Sequence, residues 1–261
     1  MIGVAGCGRM GGPMLVALQA AGFNAQGYDI RRVSYPRCTT DTPTFRSKLE
    51  TLITVVRDIA QTEEVLFGAQ NFSQAPNLRR IIICSTLSPR YVKSLSARVS
   101  PAVRLIDAPM SGAKIAAEQA NLSFMLGGDA SDLDAAQPLF DAMGKHFHRM
   151  GSFGMGMQAK VLNNLLAASN TAMTRLVLDW AETAGLDEGK LLGLIETSSG
   201  QNWFASGFET IEFSRDGMDA ENTIGILVKD VDSALDAAPS DADLSLPKSV
   251  QAAIRALKPK T

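Results

Sequence analysis

The chain has 261 residues, with 25 basic and 27 acidic side chains and a pI near 5.8. This length suffices for one large domain or for two ordinary domains. The near balance of charge argues against nucleic acid as a partner, and no apolar run is long enough to span a membrane. The three cysteines, Cys7, Cys38 and Cys84, are scattered and odd in number, which does not suit a disulfide framework or a zinc site. The two histidines, His146 and His148, have no third metal ligand nearby in the sequence. Because the N-terminal residues also lack a signal-peptide pattern, we expect a soluble, cytoplasmic protein.

The first predicted strand covers residues 1–6, and a glycine-rich turn begins at its end. Its spacing is GxGxxG, and a helix that ends near Gly22 follows it. In such turns the glycines permit a tight bend and a close approach of pyrophosphate, while the helix N-terminus supplies N–H donors. The sequence therefore predicts a dinucleotide-binding turn. The residues predicted to contact the cofactor there are Gly6, Gly8, Arg9, Met10 and Gly11.

A second predicted strand ends in Asp29, eighteen residues after the last glycine of the turn. A carboxylate at this distance accepts hydrogen bonds from the ribose hydroxyls of adenosine. It also repels a 2′-phosphate, which favours NAD over NADP. Arg31 and Arg32 leave NADP open as the alternative, because an arginine accommodates that phosphate. Two solvated loop residues are the more common explanation of such a pair. We expect NAD, with NADP as the alternative.

Strands and helices alternate through the rest of the N-terminal part. After a polar stretch with a short third strand, the pattern predicts strands at 51–58, 81–86, 103–109 and 123–128, and helices at 61–68, 88–99 and 131–143. This alternation predicts an α/β fold with a doubly wound parallel sheet. Ligands of such sheets bind beyond the C-terminal ends of the strands, where Val56 and Thr86 lie.

The longest helical pattern extends over about 157–185 and contains neither glycine nor proline before Gly185. A helix of this length measures about 40 Å, more than a compact α/β unit requires. Further helical patterns follow at 187–199, 221–237 and 247–257. We therefore predict a dinucleotide-binding domain at 1–153 and an all-α domain at 154–261, joined by this interdomain helix.

Three polar residues, Lys160, Asn163 and Asn164, interrupt the apolar pattern in the first turns of that helix. Their spacing places them on one helical face. A lysine desolvated at a domain junction has a lowered pKa and can act as a general acid/base. Spacing alone leaves open the alternative of an exposed lysine on an amphipathic helix.

Two further polar clusters are candidates for ligand binding. Ser111 and Gly112 follow a predicted strand, where a hydroxyl and free amides suit a carboxylate. Lys229 and Asp230 interrupt an apolar helical pattern, although an ordinary surface ion pair would explain them as well. Neither cluster identifies a reaction by itself.

Four segments taken together identify a family. They are IGVAGCGRMGGPM at 2–14, DAPMSG at 107–112 with the following FMLGG, GSFGMGMQAKVLNN at 151–164, and VKDVDSALDAA at 228–238. In this order they resemble the β-hydroxyacid dehydrogenases, which include 3-hydroxyisobutyrate dehydrogenase, tartronate semialdehyde reductase and, more distantly, 6-phosphogluconate dehydrogenase. The resemblance covers nearly the whole chain. It implies a Rossmann-type domain, a long interdomain helix, an all-α domain, and a homodimer or homotetramer.

The resemblance also implies a role for each matching residue. Lys160 would be the general acid/base, and Asn164 would orient the substrate or the lysine. The substrate carboxylate would contact Ser111, Gly112 and Ala113, and Lys229 would close the site. The implied cofactor contacts beyond the glycine-rich turn are Asp29, Arg31, Val56, Thr86 and Asp230, with Thr86 near the nicotinamide ribose.

The substrate loop departs from the family pattern. Ala113, Ala116 and Ala120 stand where glycines are usual, and each added methyl group restricts the backbone. We expect the loop to be narrower or differently bent, which affects substrate identity more than reaction type. The segment SSGQNW at 198–203 resembles 3-hydroxyisobutyrate dehydrogenases.

The sequence therefore predicts hydride transfer between a nicotinamide cofactor and a small β-hydroxy acid such as 3-hydroxyisobutyrate, or the reverse reduction of a semialdehyde. Two alternatives are an imine reductase, which Lys160 disfavours, and a nucleotide-binding module without catalysis. Intact Lys160, Asn164 and Ser111 disfavour the second alternative, whereas the alanines of the substrate loop keep it open.

Overall fold

Nine strands form one sheet in the N-terminal part of the computed structural model, which describes residues 1–211, 213–216 and 224–260. The strands are β1 (Ile2–Ala5), β2 (Ala25–Tyr28), β3 (Cys38–Thr39), β4 (Thr51–Thr54), β5 (Arg80–Ile83), β6 (Arg104–Asp107), β7 (Met110–Ser111), β8 (Leu122–Gly127) and β9 (Gly144–Gly151). The order β3-β2-β1-β4-β5-β6 is parallel throughout. Because β1 lies between β2 and β4, the strand order reverses there, which is where α/β sheets bind ligands.

The far side of the sheet is not purely parallel. β8 is antiparallel to both β6 and β7, with Asp107 opposite Gly127 and Met110 opposite Phe124. β9 then pairs with β8 in the parallel sense. A parallel neighbour needs a crossover of a dozen or more residues, and the connection 112–121 between β7 and β8 is too short for one. The predicted parallel arrangement is therefore observed from β3 to β6 and between β8 and β9, and the pairs that β8 forms with β6 and β7 are the antiparallel exceptions.

Helices cover both faces of the sheet, as the predicted alternation requires. They are α1 (Gly11–Ala20), α2 (Thr42–Ser47), α3 (Ile59–Leu66), α4 (Pro89–Ser94), α5 (Ala113–Glu118) and α6 (Ala130–Met143). Successive residues of β5 illustrate the two cores: Ile82 belongs to the apolar cluster that includes α1 and α6, whereas Ile81 and Ile83 belong to the cluster that includes α3 and α4. The fold is thus α/β and doubly wound.

The C-terminal part is helical. Its helices are α7 (Met155–Thr183), α8 (Glu188–Glu196), α9 (Trp203–Ser206), α10 (Ile224–Asp236) and α11 (Ser245–Ala256). α7 has 29 residues and is therefore about 43 Å long, close to the predicted interdomain helix. The helix predicted at 221–237 is observed from Ile224, because 221–223 lie outside the described residues.

Contacts divide the chain into two compact units, Met1–Lys160 and Val161–Thr261. In the second unit, one apolar cluster joins α7, α10 and α11 through Ala168, Val231 and Ile254. Another contains Leu178 of α7 and Phe204 of α9. Across the described ranges, none of the helices has both the length and the apolar character that crossing a membrane requires.

Candidate functional site

The glycine-rich turn between β1 and α1 depends on its glycines. Gly6 has a φ of +92°, and a Cβ at this position would lie 2.5 Å from the carbonyl oxygen of Val55. A Cβ on Gly11 would collide with the carbonyl oxygen of Gly6, so α1 packs directly on the turn. At Gly8, by contrast, a Cβ would meet no described atom within 4 Å. The backbone at Gly8 is therefore open to a ligand, as the approach of a pyrophosphate requires.

The N-terminus of α1 is suited to an anion. No side chain caps it, and its first turn carries no acidic residue. Uncapped N–H groups and the positive end of the helix dipole favour phosphate at such a position. The turn and the helix start together fit the pyrophosphate of a dinucleotide.

Asp29 directly follows β2, and its side chain is hydrogen-bonded to this turn. Its Oδ2 accepts a hydrogen bond from the Cys7 N–H at 2.9 Å, and its Oδ1 accepts one from the Arg31 N–H at 3.0 Å. The side chain is buried, and each carboxylate oxygen retains further acceptor capacity. A cavity of about 270 Å³ lies beside it, lined by Arg31, Arg32, Val33, Cys38, Thr39 and Thr40. The carboxylate and this cavity fit the ribose of an adenosine.

The remaining predicted cofactor contacts of the first unit lie around the same edge of the sheet. Arg9 and Arg31 are exposed, whereas Met10, Val56 and Thr86 are half-buried. The Val56 N–H donates to Ser85 Oγ at 2.9 Å, which joins the loops that follow β4 and β5. This hydrogen bond holds the two strand ends together next to the glycine-rich turn.

Asp107, the last residue of β6, was not singled out from the sequence although it belongs to the segment DAPMSG. Its fully buried carboxylate accepts the N–H groups of Gly154 and Met157, at 2.6 and 2.5 Å, and so holds the first turn of α7. Burial raises the pKa of this carboxyl to about 6, against the opposing effects of the two N–H donors and of the Lys93 charge. An acidic residue at the end of a buried strand was the available sequence signal.

This raised pKa predicts a pH-dependent stability. Because the folded-state pKa lies above the unfolded value, the contribution of Asp107 is fully present below about pH 4 and is lost as the pH rises through 6. Relative to an Asp107→Asn variant, the wild type should lose up to about 3 kcal/mol of unfolding free energy over this interval. Urea unfolding of both proteins between pH 4 and pH 7 measures the difference, and a constant difference would contradict the prediction.

Lys160 is not an exposed lysine. Its side chain is only 7% exposed, and its Nζ donates a hydrogen bond to Ser111 Oγ at 3.0 Å. The two residues are 49 positions apart in the sequence, and both belong to the first unit. The structure therefore joins the predicted acid/base to the predicted carboxylate-binding segment, which spacing alone left undecided.

The loop that follows Ser111 keeps a glycine-like backbone despite its alanines. Gly112 has a φ of +134°, and Ala113 and Ala120 both have a φ of +51°. For an alanine this left-handed conformation costs about 1–2 kcal/mol. The alanines therefore place local strain at both ends of α5, and the narrower or differently bent loop stays a prediction.

In the second unit, Asn164 is held by a buried polar group of α10. Its Nδ2 donates to Asp230 Oδ2 at 2.5 Å, and its Oδ1 accepts from Asn163 Nδ2 at 3.3 Å. Lys229 Nζ lies 3.2 Å from Asp230 Oδ1. The sequence predicts that Asp230 contacts the cofactor. Within this unit, the observed partners of Asp230 are Asn164 and Lys229. Asp230 therefore fixes the orientation of the Asn164 amide.

The histidines and cysteines do not assemble into a metal site. His146 and His148 are exposed on β9, while Cys7 and Cys84 are buried. Among the residues that the structure describes, no three potential ligands lie close enough to hold a metal ion.

Comparisons with known proteins match both parts of the chain. A family profile described as the NAD binding domain of 6-phosphogluconate dehydrogenase matches residues 1–152. A second profile, described as NAD-binding of NADP-dependent 3-hydroxyisobutyrate dehydrogenase, matches residues 154–259. The first profile alone covers more than half of the chain.

Individual relatives agree with these profiles. Mitochondrial 3-hydroxyisobutyrate dehydrogenase of Drosophila melanogaster is 31% identical over 77% of this chain and 64% of that protein, so the chain spans less than two thirds of it. L-threonate dehydrogenase of Cupriavidus necator is 28% identical over 91% of this chain and 83% of that protein. The structure of Mycobacterium tuberculosis 3-hydroxyisobutyrate dehydrogenase with L-serine superposes with a TM-score of 0.82 at 25% identity, covering 97% and 92% of the two chains. With the turn, fold and profiles in agreement, the chain belongs to the β-hydroxyacid dehydrogenase family, whose members are NAD(P)-dependent dehydrogenases.

Proposed function

We propose that this protein transfers a hydride between a nicotinamide cofactor and a small β-hydroxy acid, with Lys160 as the general acid/base. The observation that carries the proposal is the hydrogen bond from the buried Lys160 Nζ to Ser111 Oγ. This hydrogen bond connects two functional groups. The amine can accept or donate a proton, and the hydroxyl can bind a carboxylate.

The bound cofactor would supply the hydride acceptor in oxidation and the hydride donor in reduction. In oxidation, the neutral Lys160 amine accepts the proton of the substrate hydroxyl at Nζ. In reduction, the ammonium form returns a proton to the carbonyl oxygen. Burial of the lysine limits exchange of this proton with bulk water.

Ser111 and the amides around Gly112 would bind the substrate carboxylate, which fixes the distance between carboxylate and reacting hydroxyl. Asn164 lies one helical turn beyond Lys160 on α7, and we propose that its amide orients the substrate. Its hydrogen bond to the buried Asp230 supports this role, because a fixed amide presents its remaining groups in one direction.

We propose the substrate as a chemical class, the small β-hydroxy acids. The fly relative is named for 3-hydroxyisobutyrate and the bacterial relative for L-threonate, at 31% and 28% identity. We favour 3-hydroxyisobutyrate because the segment at 198–203 resembles that group. Both acids carry a carboxylate within reach of a hydroxyl, as Ser111 and Lys160 require.

A direct assay tests the proposal. Purified protein is mixed with NAD or NADP and a panel of β-hydroxy acids, and the absorbance of the reduced cofactor is followed at 340 nm. We expect turnover with at least one short acid. Tight cofactor binding without turnover on any acid or semialdehyde would instead identify a nucleotide-binding module, and turnover on cyclic imines alone would identify an imine reductase.

We further propose NAD as the preferred cofactor, because the Asp29 carboxylate repels a 2′-phosphate. Asp29→Ala should weaken NAD binding by about 10–100-fold and shift the preference toward NADP, since the charge and a ribose acceptor are lost. Arg31→Ala is the matched control, and it should weaken NADP binding only. Calorimetric titration with both cofactors measures this. If Asp29→Ala retains the wild-type preference, Asp29 does not select the cofactor.

A cytoplasmic location and a homodimeric or homotetrameric state stay predictions from the sequence. Neither is needed for the roles proposed for Lys160, Ser111 and Asn164.

A further inference from the structure

The segment from Asp107 to Ser111 contacts the start of α7 at two points. At its first residue, the Asp107 carboxylate accepts the N–H groups of Gly154 and Met157. At its last residue, Ser111 Oγ accepts a hydrogen bond from Lys160 Nζ at 3.0 Å. The first contact fixes the backbone where the helix begins, and the second is the contact on which the proposed function rests.

This segment is itself paired with the neighbouring strand β8. Asp107 lies opposite Gly127, and Ser111 lies opposite Ser123 of the same strand. The register of such pairs is strongly specified, because a slip of one residue would turn the buried side chains of a strand to its other face. The sheet therefore sets the distance between the Asp107 carboxylate and the Ser111 hydroxyl. A helix bound to Asp107 is positioned by the same strands that position Ser111.

Two glycines let the backbones of β8 and α7 meet beside the Asp107 carboxylate. A Cβ on Gly127 would collide with Asp107 Oδ1 and would lie 2.8 Å from the Gly156 nitrogen. A Cβ on Gly156 would collide with the Met125 carbonyl oxygen, which belongs to the backbone and cannot rotate away. The first turn of α7 therefore packs directly on β8, and little space remains for movement of the helix start toward the strand.

Met157 also connects this turn with the loop that follows β5. Its N–H donates to Asp107, and its Sδ accepts a hydrogen bond from the buried Leu87 N–H at 3.3 Å. Leu87 directly follows Thr86, which the family resemblance places near the nicotinamide ribose. The first turn of α7 therefore joins the segment 107–111 to the loop that carries Thr86.

The position of Lys160 follows from that of the first turn. Lys160 lies three residues beyond Met157, about one helical turn, so its backbone moves with this turn. The flexible four-carbon stem of a lysine does not fix its own amine, and Ser111 supplies a single, half-buried hydroxyl. A displacement of about 1 Å in a reacting group can lower a rate on the order of 100-fold. The backbone that carries Lys160 therefore needs a fixed position.

We propose that Asp107 is a positioning residue for Lys160. By accepting the N–H groups of Gly154 and Met157, its carboxylate fixes the first turn of α7. Through this turn it fixes the distance from Lys160 Nζ to Ser111 Oγ. Asp107 is fully buried, so it acts through the helix and not on the substrate itself. This role rests on the proposed function, because the placement of Lys160 affects turnover only if Lys160 transfers the proton.

Asp107→Asn in two backgrounds tests this role. Asparagine has nearly the same shape, but its NH₂ group cannot accept the second N–H, so the first turn of α7 should shift. Near pH 8 the wild-type carboxyl, whose pKa burial raises to about 6, is ionised. Under this condition the substitution should lower kcat about 10–100-fold and leave cofactor affinity nearly unchanged. In Lys160→Met it should lower the residual rate by less than about threefold, because the group that Asp107 positions is absent.

Asp187→Asn is the matched control. The exposed Asp187 carboxylate also accepts a backbone N–H at the start of a helix, from Lys190 at 2.8 Å, but this helix is α8 of the second unit. The control should leave kcat unchanged in both backgrounds. Equal losses for Asp107→Asn in both backgrounds, or an unchanged kcat, would overturn the positioning role and leave the proposed function intact. Wild-type turnover by Lys160→Met would overturn the proposed function and this role with it.

Met157→Leu is a second test that applies even where Asp107→Asn does not fold. Leucine preserves the buried apolar volume but removes the Sδ acceptor of the Leu87 N–H, which loosens the same turn without a change of charge. It should lower kcat about 3–10-fold in the otherwise wild-type protein and not measurably in Lys160→Met. Circular dichroism shows which variants are folded at the assay temperature. An equal loss in both backgrounds would contradict the placement of Lys160 by this turn.

Discussion

Lys160→Met should lower kcat by about 10²–10⁴ while leaving cofactor affinity and the unfolding free energy nearly unchanged. Methionine keeps the unbranched stem of the side chain as far as the ε position but removes the amine that moves the proton. The hydrogen bond to Ser111 Oγ is also lost. Ser111 is only half-buried, so its hydroxyl can bond to water instead, and the folded state should tolerate the loss.

Two further variants separate chemistry from charge. Lys160→Arg keeps the positive charge but cannot give up a proton at accessible pH, so it should lose activity to a similar degree. Lys190→Ala removes an exposed lysine of α8 and should behave as wild type. Steady-state kinetics with the best acid of the panel provides the measurement. Wild-type turnover by Lys160→Met would remove Lys160 from the mechanism.

Gly11→Ala should abolish useful cofactor binding, with an affinity loss of at least about 100-fold, and should lower the unfolding free energy by about 3 kcal/mol. The added Cβ would collide with the Gly6 carbonyl oxygen, which belongs to the backbone and cannot rotate away. Either α1 moves off the turn or the turn opens. Both movements displace the N–H groups that would hold the pyrophosphate.

Gly8→Ala distinguishes binding from folding at the same turn. A Cβ at Gly8 meets no described neighbour, so the unfolding free energy should stay near the wild-type value while cofactor affinity falls. Gly193→Ala on α8 is the control, since its Cβ also lies in open space but in the second unit. Calorimetric titration and urea unfolding supply the two readouts. Unchanged NAD affinity in both turn variants would place the cofactor elsewhere.

The parts of this protein that were predicted correctly depend on short-range rules. The turn at Gly6, Gly8 and Gly11 was recognisable because steric limits on the backbone act within a few residues. α7 was recognisable because apolar periodicity without glycine or proline specifies a helix whatever it packs against. The strand β8 was predicted, but its antiparallel direction was not, since strand alternation alone does not report that the connection 112–121 is too short for a crossover.

The sequence by itself determined the α/β class, the dinucleotide turn and the long helix, because each follows from local geometry and composition. Only the tertiary structure decided whether Lys160 was a surface residue or a buried partner of Ser111, since that contact joins distant segments. The same holds for Asp107 at the start of α7 and for Asp230 beside Asn164. Burial and long-range hydrogen bonds depend on how the segments pack, and the sequence does not show that packing directly.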